Sequence, residues 1–146
     1  MKKIRAVISL SFLFVFLFMS CSGFLEQRKL EDIKADNRLQ EKCRKKSEEY
    51  FQKEYGNGIL NNGKRTVTYQ NHYNRKLKKC LIILTTNYYS KNINKGYKEK
   101  HLFDVNYKLD YGFFHDSGTI SFCDVQRKKC SSEEEWISLA QPYMED

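Results

Sequence analysis

Lys79-Cys80-Leu81-Ile82-Ile83-Leu84-Thr85-Thr86-Asn87-Tyr88-Tyr89 is the stretch whose reading decides the fold. Successive side chains of a strand point to opposite faces of a sheet, and here the even and the odd positions are both apolar. Such a strand needs cover on both sides, which predicts a central strand over residues 79–89. Upstream, Thr66-Val67-Thr68-Tyr69 is β-branched and aromatic, predicting a strand over Arg65–Tyr73 after a turn at Asn61-Asn62-Gly63. Downstream, Asn92–Lys100 is polar and predicts a loop. Three more strands are expected at His101–Tyr107, Tyr111–Phe114 and Thr119–Val125. Leu109-Asp110 and His115-Asp116-Ser117-Gly118 are the expected turns between them.

Helical periodicity flanks this block. Leu39, Cys43, Tyr50, Phe51 and Tyr55 fall on one face of a 3.6-residue repeat, while Lys42, Lys45, Lys46, Glu49 and Lys53 fall on the other. Gly56-Asn57-Gly58 supplies the glycine that tolerates the left-handed conformation after a last turn. At the other end, Ser131-Ser132-Glu133-Glu134-Glu135 offers two overlapping capping boxes, Ser131 with Glu134 and Ser132 with Glu135. Trp136, Leu139 and Ala140 form the apolar stripe, and Pro142 is expected to end the helix. The order helix, strands, helix predicts an α+β domain over residues 39–146. The expectation is an antiparallel sheet of four to five strands with an N-terminal and a C-terminal helix packed on one face.

The first residues belong to something else. Met1-Lys2-Lys3-Ile4-Arg5 carries three positive charges, and Ala6–Met19 is apolar apart from Ser9 and Ser11. Fourteen helical residues span roughly 21 Å, short of the ~30 Å hydrocarbon core, so the run suits an export signal better than a permanent anchor. Phe18-Met19-Ser20-Cys21 then resembles the lipobox of bacterial lipoproteins, with Ser20 as the small residue before the cysteine and with Phe18 and Met19 departing from the usual occupants. The resemblance implies removal of residues 1–20, diacylglycerol on the Cys21 sulfur and fatty acyl chains such as palmitate holding the protein on a membrane. Cleavage after Ser22 or Gly23, or no cleavage, are the alternatives. Ser22 is not the Asp that retains enteric lipoproteins at the inner membrane, so the resemblance favours the periplasmic face of an outer membrane in a cell that has one. Residues 21–38, charged and without a continuous apolar stripe, read as a lipid-anchored tether.

Without Lys2, Lys3 and Arg5 the 26 basic residues become 23 against 18 acidic ones, a mature charge of +5. The remaining 126 residues bury roughly two-thirds of their chain surface, enough for one modest core. Cys43, Cys80, Cys123 and Cys130 make an even number of thiols in an exported chain, which reads as two disulfides. Three pairings are open. Cys43–Cys80 would staple the long helix to the central strand, and Cys123–Cys130 would close a short loop before the last helix; this pairing is expected. No Cys-x-x-Cys pair is present, so a structural metal site is not signalled.

Two further stretches, His72-Tyr73-Asn74…Leu77-Lys78-Lys79-Cys80 and Cys130-Ser131-Ser132-Glu133-Glu134-Glu135-Trp136…Pro142-Tyr143-Met144, resemble a group of small bacterial lipoproteins. That resemblance implies class and carries no activity.

Chemistry is sparse. His72, His101 and His115 make no metal-binding pair at helical spacing. His115-Asp116 is half of a hydrolytic dyad without a Gly-x-Ser-x-Gly elbow or a free thiol beside it, so a turn is the better reading. Glu133-Glu134-Glu135 reads as a helix cap rather than a calcium or acid/base set, and no glycine loop signals a phosphate-bearing cofactor. No enzyme, cofactor or metal is expected. Charge is the informative feature. Residues 64–108 hold eleven basic groups against Glu99 and Asp104, a net of +9, interleaved with Tyr69, Tyr73, Tyr88, Tyr89, Tyr97 and Tyr107. Residues 109–146 carry a net of −5. In the cytoplasm this would point to nucleic acid. Outside it, Lys64, Arg65, Arg75, Lys76, Lys78 and Lys79 are the candidates for contact with an envelope polyanion or an acidic protein. The alternative is that these lysines keep sheet edges soluble. The expected role is a non-catalytic binding or structural lipoprotein of the cell envelope. An inhibitor or immunity lipoprotein that blocks a lytic enzyme or toxin is the second reading.

Overall fold

The computed structural model describes residues 2–90, 95–119 and 121–145, with side chains described for 26–89, 96–119 and 121–145. The expected loop at 91–94, with Lys91, and the Ile120 of an expected strand lie outside the described residues. The Cys21 side chain does too. The chain divides into two units, Met1–Arg38 and Leu39–Asp146. Helix α1 runs Lys2–Tyr55, and the unit boundary falls within it. From Phe24 to Tyr55 there is neither glycine nor proline, so nothing in the sequence of the expected tether interrupts the helical ladder. In the first unit Leu30 and Ile33 are exposed, as isolated apolar residues on a charged helix should be. No helix among the described residues is long and apolar enough to cross a membrane.

The second unit is α+β, with a sheet of seven antiparallel strands in sequential order rather than four or five. They are β1 (Ile59–Leu60), β2 (Arg65–Asn74), β3 (Lys79–Ser90), β4 (Lys95–Asp104), β5 (Leu109–Asp116), β6 (Ser121–Val125) and β7 (Lys128–Cys130), followed by helix α2 (Glu133–Met144). The two extra strands are the short ones at the edges. They follow from turn chemistry rather than from hydrophobic pattern: Asn61 and Asn62 adopt positive φ between β1 and β2, and Gln126 and Arg127 do so between β6 and β7. The expected polar loop at 92–100 is a strand from Lys95 onward, because its polar residues lie opposite Ser90–Thr85 and extend that ladder. The turn expected at Leu109-Asp110 lies instead at residues 105–108, with Lys108 at φ 53°.

The helices do not share a face. Leu81 and Ile83 of β3 join Leu102, Tyr111, Phe114, Val125 and α2 residues Trp136 and Ala140 in one core. Ile82 and Leu84 join Val67, Phe103 and Phe51 of α1 in a second core. A strand apolar on both sides must be covered on both, so α1 and α2 lie on opposite faces and the unit has three layers. Both expected disulfides form. Cys43–Cys80 ties α1 to β3, and Cys123–Cys130 crosslinks β6 to β7 across a directly paired position.

Helix α2 makes one of its two expected caps and runs past its expected end. Ser132 is the N-cap, accepting the Glu135 amide at 3.2 Å, while the Glu135 carboxylate accepts from the Ser131 amide and hydroxyl. These bonds, the backbone one foremost, hold the Glu135 carboxyl below its usual range. The Ser131–Glu134 box is not made. Pro142 lies inside the helix, which continues to Met144. The buried Asn74 amide donates to the carbonyls of Pro142, Tyr143 and Glu145 and so holds these last residues to the end of β2.

Candidate binding surfaces

The basic residues singled out in the sequence are not brought to one place. Lys64 ends the turn before β2 and Arg65 opens that strand, whereas Arg75, Lys76 and Lys78 form the turn after it and Lys79 opens β3. The ten residues of β2 separate the two groups by about 30 Å. Arg65 is half-buried, with its guanidinium 5.1 Å from the Tyr88 ring centroid and 5.8 Å from that of Tyr55. Lys79 lies over Tyr111 and 3.8 Å from the buried Asp104 carboxylate. Its amine is held above its usual pKa by Tyr111 first and by Asp104 after it.

The group at the far end of β2 meets lysines that the sequence pattern assigned only to the solvent side of α1. Lys42, Lys46 and Lys78 line an open groove of about 490 Å³ together with Tyr73, Tyr107 and Asn106, beside the Cys43–Cys80 bridge. No acidic residue lines it. Lys46 Nζ donates to Asn106 Oδ1 at 2.6 Å, and no ion pair to Lys42, Lys46 or Lys78 occurs among the described residues. The neighbouring Arg44 instead turns to Glu41 and Glu48, at 2.8 and 3.0 Å, and its hydrogen bond holds the Glu41 carboxyl below the usual range. The signal that locates this groove is the cysteine pairing. Once Cys43 is bound to Cys80, the lysines one residue before and three after Cys43 must stand near Lys78.

A second surface lies on the same sheet face as α1. α1 runs lengthwise along β2 and β3, from Cys43 beside Cys80 to Tyr55 beside Arg65. A helix is ~10 Å wide and strands repeat every ~4.8 Å, so one helix laid this way covers about two strands. Beyond it, rings touch from strand to strand. Tyr88 of β3 stacks on Tyr97 of β4 at 3.9 Å between centroids, Tyr97 meets His115 of β5 at 5.6 Å, and His115 stacks on Phe122 of β6 at 5.1 Å. Phe122 meets Phe113 at 5.7 Å, and Phe113 meets His101 at 5.8 Å. Phe122 is 52% and Tyr97 38% exposed. Burial, with Tyr88 next, holds the Tyr97 hydroxyl above its usual pKa.

The β4–β5 register puts these rings on one side. The pairing shifts between Leu102, opposite Gly112, and Phe103, opposite Asp110. This bulge at Tyr111 reverses the alternation in β5, sending Phe114 into the α2 core and turning Phe113 and His115 to the other face. Gly112 permits the close approach, since a Cβ there would stand 2.8 Å from the Asp124 carbonyl oxygen.

The histidines have carboxylate partners other than the sequence neighbour. His115 Nδ1 lies 3.2 Å from Glu99 Oε1, and His101 Nε2 lies 3.0 Å from Asp110 Oδ1. Asp116 accepts from the Gly118 amide instead. His101 and Phe113 also line an open depression of about 490 Å³ whose rim carries Asp110, Asp124, Gln126 and Arg127. Among the described residues no three His, Cys, Asp or Glu side chains converge to hold a metal ion. Of the three acids opening α2, Glu133 bridges Lys98 and Lys100 of β4, both at 2.8 Å, rather than capping the helix.

No family of known proteins matches the chain, and no curated protein and no solved structure is detectably similar to it.

Proposed function

We propose that this chain is a membrane-anchored envelope lipoprotein whose domain binds an anionic envelope component, or an acidic protein, without catalysing a reaction. The anchor rests on Ser20-Cys21 at the end of a short apolar run behind three positive charges. Buried acyl chains contribute about 0.8 kcal/mol per CH₂, so the two or more chains of a lipobox cysteine keep a protein on a bilayer. The outer membrane is the favoured site in a cell that has one. Two disulfides in the domain accord with an oxidising compartment.

The observation that carries the binding role is the groove lined by Lys42, Lys46 and Lys78 with no acidic residue among its walls. Three amines within one concavity attract an anion more strongly than the same amines dispersed, and the rings of Tyr73 and Tyr107 add contact area. Lys64 and Arg65, at the other end of β2, are outside this role.

Labelled palmitate incorporated by the natural chain and lost on Cys21→Ala, with release from the membrane fraction, is the expected result for the anchor. For the groove, Lys42, Lys46 and Lys78 changed together to Glu should abolish salt-sensitive recovery of the partner from solubilised envelope, while Lys64→Glu should not. Unchanged recovery would sink the groove and leave the anchor standing. A one-to-one protein partner in that recovery would point to the inhibitor role.

A further inference from the structure

We infer that the ring-paved strip across β3–β6 is a carbohydrate-binding platform that takes an uncharged glycan. The solvent face of an antiparallel sheet is ordinarily polar, but here Tyr88, Tyr97, His115, Phe122, Phe113 and His101 form a continuous series of ring contacts. A pyranose ring is amphipathic. Its C–H face lies against an aromatic plane, and its rim of hydroxyls needs donors and acceptors at the side. The strip supplies both. Tyr97 and Phe122 lie open to solvent with the other rings half-buried beside them, and at one end the depression presents two carboxylates, an amide and a guanidinium from Asp110, Asp124, Gln126 and Arg127. The Glu99 and Asp110 carboxylates, fixed against the imidazoles, hold two of the paving rings in orientation.

Charge and area select the occupant. Glu99, Asp110 and Asp124 are matched on this face by Arg65, Arg127 and Lys129, the last directly opposite Asp124, so the strip lacks the positive excess that a phosphate or acidic polymer requires. From β3 to β6 and from Tyr97 to His101 the strip measures about 14 Å by 14 Å, roughly 200 Å². A stable dimer or protein complex needs about 800 Å² per partner. A run of a few sugar rings fits that size, whereas a stable complex with a second copy would have to extend well beyond the strip.

This site is separate from the basic groove and does not depend on the anchor. The test uses the full chain in detergent, titrated calorimetrically with the β1,4-linked tetramer of N-acetylglucosamine and with maltotetraose. Saturable binding of at least one is expected. Phe122→Ala and Tyr97→Ala should each weaken it roughly three- to tenfold, since each removes one stacked ring. Both side chains are exposed, and an unchanged melting temperature confirms the fold. Lys78→Glu should leave the affinity unaltered. No saturable binding of either tetramer would overturn the proposal, as would affinities unchanged in both ring variants. A dimer in sedimentation that Phe122→Ala dissociates would assign the strip to a second copy instead.

Discussion

The two faces of the sheet are built from the same kinds of residue and end in opposite conditions. On the α2 side Trp136, Phe114, Leu81, Leu102 and Val125 are each at most 2% exposed, because α2 lies across the sheet and touches β2, β5, β6 and β7. On the α1 side the apolar core is Phe51, Val67, Ile82, Leu84 and Phe103, and beyond it Tyr97 and Phe122 are exposed and their neighbouring rings half-buried. A helix set across the strands seals most of a face, and a helix set along them seals a strip. The incompletely covered half of the α1 side is therefore a consequence of helix direction.

The largest expected effect separates these faces directly. Trp136→Ala removes a fully buried indole and should lower stability by about 3–5 kcal/mol, whereas Phe122→Ala should change it by no more than about 0.5 kcal/mol. Denaturant melts of the two variants decide this. Equal losses would mean that the open face carries structural load and is not spare surface.

The bridges differ in the same sense. Cys43–Cys80 spans 37 residues and joins α1 to the sheet, so replacing both cysteines by Ala should cost about 4 kcal/mol through loop entropy alone. Cys123–Cys130 spans 7 residues within one hairpin, and its loss should cost about 2 kcal/mol. Thermal unfolding of the two double variants tests the order. If the second loss were the larger, α1 would owe its place to Phe51 and its neighbours more than to the bridge.

The smallest effect is a pH dependence confined to the sealed side. Burial opposes ionisation of Glu133, but hydrogen bonds from Lys100 and Lys98 outweigh it and hold the carboxyl below its ordinary 4.5. A carboxyl depressed by folding contributes its stability in full above its unfolded pKa and loses it as pH falls through the lower folded value. Glu133→Gln should thus cost about 0.5–1 kcal/mol at neutral pH, shrinking toward nothing as the pH is taken below 4.5. A loss independent of pH would show that the side chain acts by shape and not by charge.

Much of this architecture is legible in the sequence, and the parts that are not have definite physical causes. The run around Cys80–Thr86 demanded a doubly covered strand, and that demand alone argues against placing both helices on one face. The edge strands β1 and β7 leave no sequence signal because two or three residues carry no period. The sequence makes Glu133 look like a cap because helix-end chemistry is local, while its lysines arrive from β4 only once the sheet forms. Lys42 and Lys46 looked like an ordinary solvated helix face until the Cys43–Cys80 bridge gave them Lys78 as a neighbour.

By itself the amino-acid sequence determined the local matters: the two helical segments, the doubly apolar central strand, the Ser132 cap of α2 and an even number of cysteines for bridging. Those follow from side-chain period, backbone propensity and loop length, which act over a few residues. Only the tertiary structure decided that α1 lies along the strands, that the basic residues divide between two ends of β2, and that one bulge at Tyr111 turns Phe113 and His115 outward. A single inserted residue reverses every side chain beyond it, and no local preference distinguishes the two outcomes; the packing of Phe114 under Trp136 does.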